Sequence, residues 1–225
     1  MTGAVIFDVD GVLLELLASE EDAFFAPLRI RYGLTNLSRD WNSYRIRNDD
    51  DILAEIFECH LGRAASFEEL AAVKHDYLAE LKRIEPGPQV IPGAERSLQS
   101  LQTLGLTLGI ATANLRGAAE VRLRRAGLWP LVENLAFGAD GGGHKREILA
   151  RAVAVTGLPR DRIVYLGDNI NDVDAGLSNG VHFIGFAREA ARRDLLMAAG
   201  AITVTGDHAT ALTLICQYLA PGGQL

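Results

Sequence analysis

The chain has 225 residues, 48% of them hydrophobic and 23% charged, which suits an ordinary folded protein and excludes a mainly disordered or low-complexity one. Its formal net charge of −7 argues against nucleic acid or an anionic membrane as a partner. Two cysteines, Cys59 and Cys216, are too few for a disulfide framework and read as reduced thiols of a cytoplasmic protein.

The first apolar run, Ala4-Val5-Ile6-Phe7, is interrupted at Asp8 and Asp10 and follows no basic segment, so it reads as a strand and not as a signal peptide. Further strands are expected at 106–111, 134–137, 163–166, 181–186 and 202–204. Runs of this kind, without strict alternation, suit strands buried on both faces. Between them, helices are expected over 93–104, 116–126, 145–156 and 207–218, with another starting near Ile170. In the 116–126 helix the charges are expected on the side away from Val121 and Leu123. Strand and helix in alternation predict a parallel α/β sheet with helices on both faces.

Residues 14–86 break the alternation. Helices are expected over 20–32, 50–61 and 66–81, with Ser66 and Glu69 forming a capping box, and no strand lies among them. Pro86, Pro88 and Pro92 mark a stiff return. The expected division is therefore an α/β core from 1–13 and 87–225 with an all-helical insertion over 14–86. Pro221-Gly222-Gly223 reads as a frayed end, and no stretch is long and apolar enough for a membrane span.

Open parallel sheets carry their sites at the carboxyl ends of the strands. Here those ends offer Asp8, Asp10 and Gly11; Thr112, Ala113 and Asn114; Lys145 and Arg146 beyond Gly141-Gly142-Gly143; and Gly167, Asp168, Asn169 and Asp172. Clustered carboxylates repel one another unless a cation lies among them, and oxygen-only ligands favour a hard ion such as Mg²⁺. A bound phosphate would need a lysine or arginine and backbone N–H groups opposite it.

Asp8-Val9-Asp10-Gly11, Thr112, Lys145 and Gly167-Asp168-Asn169 with Asp172 resemble the four motifs of the haloacid dehalogenase superfamily, whose core is a Rossmann-like sheet. The insertion after the first motif is similar to the helical cap of the phosphoglycolate phosphatase and β-phosphoglucomutase branch. The resemblance implies that Asp8 is a nucleophile forming an aspartyl-phosphate, and that Asp10 is the acid and base. It implies that Thr112 binds the phosphoryl group, Lys145 neutralises its charge, and Asp172 orients the metal shell or Lys145. Mg²⁺ would lie on Asp8, Asp168 and the backbone carbonyl of Asp10. Val9, Ala113, Asn114, Arg146 and Arg47 complete the candidate phosphate- and substrate-binding positions. The third motif departs from the family pattern, because Lys145 is followed by Arg146 and not by proline, so Arg146 is kept as an alternative to Lys145. Val12 stands where phosphatases of the family often have threonine.

In the insertion, Trp41, Tyr44, Arg45 and Arg47 fall in a polar turn between helices, and Arg47 is a candidate for touching a substrate carboxylate or second phosphate. The activity so implied is a Mg²⁺-dependent phosphatase acting on a small phosphorylated metabolite such as phosphoglycolate or a sugar phosphate, in a monomer or homodimer. A phosphomutase and a non-catalytic binding module of the same fold are the alternatives. A carbon–halogen hydrolase would lack an aspartate at the position of Asp10.

Overall fold

A computed structural model describes residues 2–220, so the Pro221–Gly223 segment lies outside the described residues. The first strand, β1 (Ala4–Phe7), is followed by three helices, α1 (Ala18–Tyr32), α2 (Asp49–Leu61) and α3 (Phe67–Arg83). Alternation begins at α4 (Ala94–Thr103) and continues through β2 (Thr107–Ala111), α5 (Arg116–Arg125), α6 (Trp129–Val132), β3 (Ala136–Phe137) and α7 (Lys145–Thr156). It ends with β4 (Ile163–Gly167), α8 (Ile170–Asn179), β5 (His182–Phe186), α9 (Ala190–Ala198), β6 (Val204–Thr205) and α10 (His208–Leu219).

The six strands form one parallel sheet in the order β3-β2-β1-β4-β5-β6, the doubly wound Rossmann arrangement. Both faces are covered, as the unbroken apolar strands predict. Val5, Phe7, Ile110, Val164 and Leu166 enter one core with Leu98 and Leu101 of α4 and Ile215 of α10. Ala4, Ile6, Ile163 and Tyr165 enter the other with Ile148, Leu149 and Ala152 of α7. The three helices after β1 have a core of their own, built on Phe24, Phe25, Leu28, Ile52, Ile56, Phe57 and Val73. That core also takes in Leu115 and Ala118 at the start of α5, so the insertion rests on a helix of the sheet layer.

Three local expectations are corrected. The last strand is Val204–Thr205 and not 202–204, because pairing with β5 places Val204 opposite Gly185 and leaves Ile202 92% exposed. Asn134 and Leu135 form a 3-10 turn ahead of β3. Helix α9 has no counterpart in the sequence reading: Leu196 is its one buried residue, so it presents little apolar periodicity. Among the described residues no helix is long and apolar enough to cross a membrane.

Candidate active site

The chain order reverses between β1 and β4, where a crevice opens at the carboxyl edge of the sheet. Phe7 lies opposite Leu166 in the ladder, and the Asp8 N–H donates to the Leu166 carbonyl at 2.8 Å. That register brings the residues just past the two strands, Asp8 and Asp168, side by side. Gly11 turns the first loop with φ +73°, and a Cβ there would lie 2.3 Å from Asp168 Oδ2. Glycine is needed for both reasons, the backbone angle and the close approach of the second strand end.

Lys145, the first residue of α7, is almost fully buried and reaches across the crevice. Its Nζ lies 2.9 Å from Asp8 Oδ1 and 2.9 Å from Asp172 Oδ1. Asp172, 1% exposed, has its acceptors fully engaged. Oδ1 also accepts from the Tyr165 hydroxyl at 2.6 Å, and Oδ2 accepts from the N–H groups of Asp168 (3.1 Å) and Asn169 (3.0 Å). It therefore fixes the β4–α8 loop and the lysine together. A Cβ on Gly167 would lie 2.2 Å from the Asp172 Cβ, so the close approach requires glycine here too.

Carboxylate oxygens of Asp8, Asp168 and Asp172 lie within 4.8 Å of one another. Burial, then the charges of Asp172 and Asp8, push the Asp168 carboxyl up to about 8. Burial also raises Asp8, with Lys145 opposing and Asp172 and Asp10 adding to the rise. Lys145 is lowered by burial but raised more by its two carboxylate partners, so it stays charged. One lysine thus pairs with two of the three carboxyls, and Asp168 makes no ion pair among the described residues. Such a group of oxygen donors suits a hard divalent cation. The Asp10 carboxylate is not in this group, which leaves only its backbone carbonyl for a metal.

The Asp10 side chain turns to the opposite wall. Its Oδ1 accepts from Arg122 Nη2 at 2.6 Å and its Oδ2 from Asn114 Nδ2 at 2.7 Å. Burial works against ionisation, but Arg122 and Asn114 outweigh it and hold Asp10 below the usual carboxylate range. Arg122 is 2% exposed, although the charges of this helix are expected on the side away from Val121 and Leu123. Its Nε and Nη2 also pair with Glu20 of α1, at 2.9 Å each, and its Nη1 donates to Asn114 Oδ1 at 3.1 Å. One cation therefore ties the β1 loop, the β2 loop and the first helix of the insertion.

The remaining candidates separate. Thr112 is fully buried at the end of β2, its Oγ1 accepting from Asn114 N and Nδ2 at 3.3 and 3.1 Å, so its hydroxyl hydrogen is free for the crevice. Ala113 lines the cavity, and its N–H makes no hydrogen bond among the described residues. Val9 has its side chain in the core and donates its N–H to Asp8 Oδ1 at 2.7 Å, so it steadies that carboxylate and does not face the cavity. Arg47 lines the cavity beneath the insertion. Arg146 does not; it is half-exposed, 3.8 Å from Asp174, and of the two it is Lys145 that reaches the crevice.

The insertion closes over the crevice through the start of α2. The Asp49 N–H donates to the Ala113 carbonyl (2.9 Å), and Asp49 Oδ2 accepts from Leu115 N–H (2.8 Å). Asp50 and Asp51 accept from the N–H groups of Gly141 and Gly143, both at 2.8 Å, and Asn48 Nδ2 donates to the Gly143 carbonyl at 2.7 Å. Gly141, Gly142 and Gly143 all have positive φ, and this shape turns the Gly141 and Gly143 N–H groups to donate to the insertion's carboxylates. What remains between the two layers is a cavity of about 400 Å³.

Residues 5–186 match the model of the haloacid dehalogenase-like hydrolase family, and the chain belongs to that family. Among curated relatives it is 29% identical over 208 residues to "Probable phosphatase IndB" of Dickeya dadantii, covering 88% of this chain and 87% of the relative. It is 27% identical to a phosphoglycolate phosphatase of Rhodospirillum rubrum, over 93% of this chain and 89% of that one. Among solved structures, CbbY from Rhodobacter sphaeroides in complex with phosphate superposes with a TM-score of 0.73 at 21% identity, covering 93% and 96% of the two chains, a likeness of fold.

Proposed function

We propose that this hydrolase is a Mg²⁺-dependent phosphatase that transfers the phosphoryl group of a small metabolite to Asp8 and then to water, with residues 14–86 acting as a cap. The observation that carries the reading is the set formed by Asp8, Lys145, Asp172 and Asp168 at the reversal point of the sheet, with Asp10 held to one side by Arg122. Asp8, Asp168 and the carbonyl of Asp10 would hold the ion. When bound, it supplies positive charge that offsets the repulsion between an aspartate and a phosphate.

Asp8 attacks phosphorus, and the bond from phosphorus to the leaving oxygen breaks as Asp10, which must first take up a proton against the hold of Arg122 and Asn114, gives that oxygen its proton. Asp10 then takes a proton from the water that attacks the aspartyl-phosphate, which releases inorganic phosphate and restores Asp8. Lys145, the Thr112 hydroxyl and the free N–H of Ala113 face the phosphoryl oxygens, where preorganised donors each contribute about 10²–10³ in rate. Arg47 approaches from the cap. The cap excludes water from the first transfer. Two unpaired cysteines, Cys59 exposed and Cys216 half-buried, suit a cytoplasmic enzyme, as a monomer or homodimer.

The test is release of inorganic phosphate from an aryl phosphate with Mg²⁺, with EDTA, and with Asp8→Asn. The reading expects turnover only in the first case, with the variant folded by circular dichroism. Turnover retained by Asp8→Asn overturns Asp8 as the nucleophile.

A further inference from the structure

Two polar side chains of the cap face the cavity with no task in the reaction above. Tyr77 of α3 is 5% exposed and lines the cavity, yet its hydroxyl makes no hydrogen bond among the described residues. Buried tyrosine hydroxyls ordinarily have a partner. Asp49, the first residue of α2, lines the same wall. Its Oδ2 accepts from Leu115 N–H, and no lysine or arginine pairs with it among the described residues. Burial pushes its carboxyl up to about 7, with the Leu115 N–H opposing and the charge of Asp10 adding.

The other charges around the cavity are committed or lie elsewhere. Glu20 is taken by Arg122, and Glu15 by Arg188 at 2.5 Å. Glu21 accepts from Trp41 Nε1 at 2.8 Å and has no cation partner among the described residues. Lys145 is held by Asp8 and Asp172, and Arg192 draws the Asp168 carboxyl down, which sets it on the metal side. Arg47 also lines, with Lys145 and Asn171, a second cavity of about 270 Å³. The wall at Asp49 and Tyr77 thus offers hydrogen-bond acceptors, and the Glu21 carboxylate lines the same cavity.

We infer that Asp49 and Tyr77 select the leaving group, and that the substrate is a phosphate ester of an alcohol bearing further hydrogen-bond donors, hydroxyl or ammonium, and no second acid group. The inference rests on the phosphatase reading and narrows it. A donor on the leaving group completes both Asp49 and Tyr77. A carboxylate or second phosphate placed there brings no donor for Asp49 and shares the cavity with the Glu21 carboxylate, which costs on the order of tenfold or more in binding. A cavity of about 400 Å³ fits a small ester of this kind.

The test compares kcat/KM for phosphate release from p-nitrophenyl phosphate, glycerol phosphate, phosphoethanolamine and phosphoglycolate, all with Mg²⁺. Glycerol phosphate or phosphoethanolamine is expected to exceed phosphoglycolate by about tenfold or more, the hydroxyl and ammonium arms showing which donor is preferred. In Asp49→Asn that ratio falls about tenfold, mainly through KM, while the Leu115 contact is kept by the amide oxygen. Tyr77→Phe keeps the ring in the cap core and raises KM for the preferred ester. Phosphoglycolate as the best of the four, or a ratio unmoved in Asp49→Asn and a KM unmoved in Tyr77→Phe, overturns the inference and leaves the phosphatase standing. No release from any of the four, the aryl ester included, overturns the phosphatase reading and this inference with it.

Discussion

Arg122→Met removes the one cation shared by Asp10 and Glu20 and replaces it with an apolar chain of similar length. Arg122 is 2% exposed and Glu20 4% exposed, so neither group is rescued by water. Breaking a buried pair from one side costs about 3–5 kcal/mol, because a charge is left behind without compensation. Against a total stability of about 5–15 kcal/mol, the variant is expected to be marginal. Urea unfolding followed by circular dichroism reads this as a lower midpoint at unchanged slope. The double variant Arg122→Met with Glu20→Gln removes the stranded charge as well and is expected to recover about 1–3 kcal/mol. Arg122→Lys keeps one charge but loses the fork that reaches two carboxylates and Asn114, and falls between. A single variant that loses less than about 1 kcal/mol, or a double variant no more stable than the single, refutes the view that this arginine is a buried, doubly paired cation.

Three further outcomes follow from the site. Lys145→Met is expected to lower kcat for aryl phosphate by about 10² or more, while Arg146→Met stays within a factor of about two; the reverse order would move the third motif to Arg146. Gly11→Ala is expected to destabilise by about 1–2 kcal/mol from its positive φ alone, and to weaken Mg²⁺ binding by titration calorimetry, since its Cβ displaces Asp168; wild-type affinity would refute the crowding. Asp168 has its folded value raised from 3.8 to about 8, so the native state keeps a proton that the unfolded chain has lost. Metal-free stability should therefore fall as pH rises from about 4 to about 8, and the Tm gain from Mg²⁺ should grow across that window; an equal gain at both ends contradicts the metal assignment.

The strand ends were legible because short apolar runs bounded by Asp, Thr and Gly need only local reading, and the parallel order then brings Asp8, Thr112, Lys145 and Asp168 to one edge. Arg122 was not legible. It lies in an arginine-rich helix among Arg116, Arg124 and Arg125, and its burial is decided by Glu20, 102 residues away. Asp49 follows Arg47, one residue ahead of the helix expected over 50–61, where only Arg47 is singled out, and Tyr77 falls within the helix expected over 66–81 with no role of its own. Their placement depends on how the insertion lies against the β2 loop, which no local pattern encodes. The same holds for Arg146, whose neighbour Lys145 differs from it by one position on a helix and by nearly the whole depth of the crevice.

The stretch from Asn48 to Asp51 joins two loops that both serve the phosphoryl group in the proposed reaction. One carries Ala113, whose N–H meets the phosphoryl group in the proposed reaction; the other, Gly141 to Gly143, leads directly into the helix of Lys145. Five hydrogen bonds span these junctions, so swinging the lid aside to admit an ester or discharge orthophosphate must rupture them together and tug on both loops at once. In the proposed cycle, admission and discharge are thereby yoked to the spacing between the groups that would grip phosphorus, through a fastener of three carboxylates and an amide.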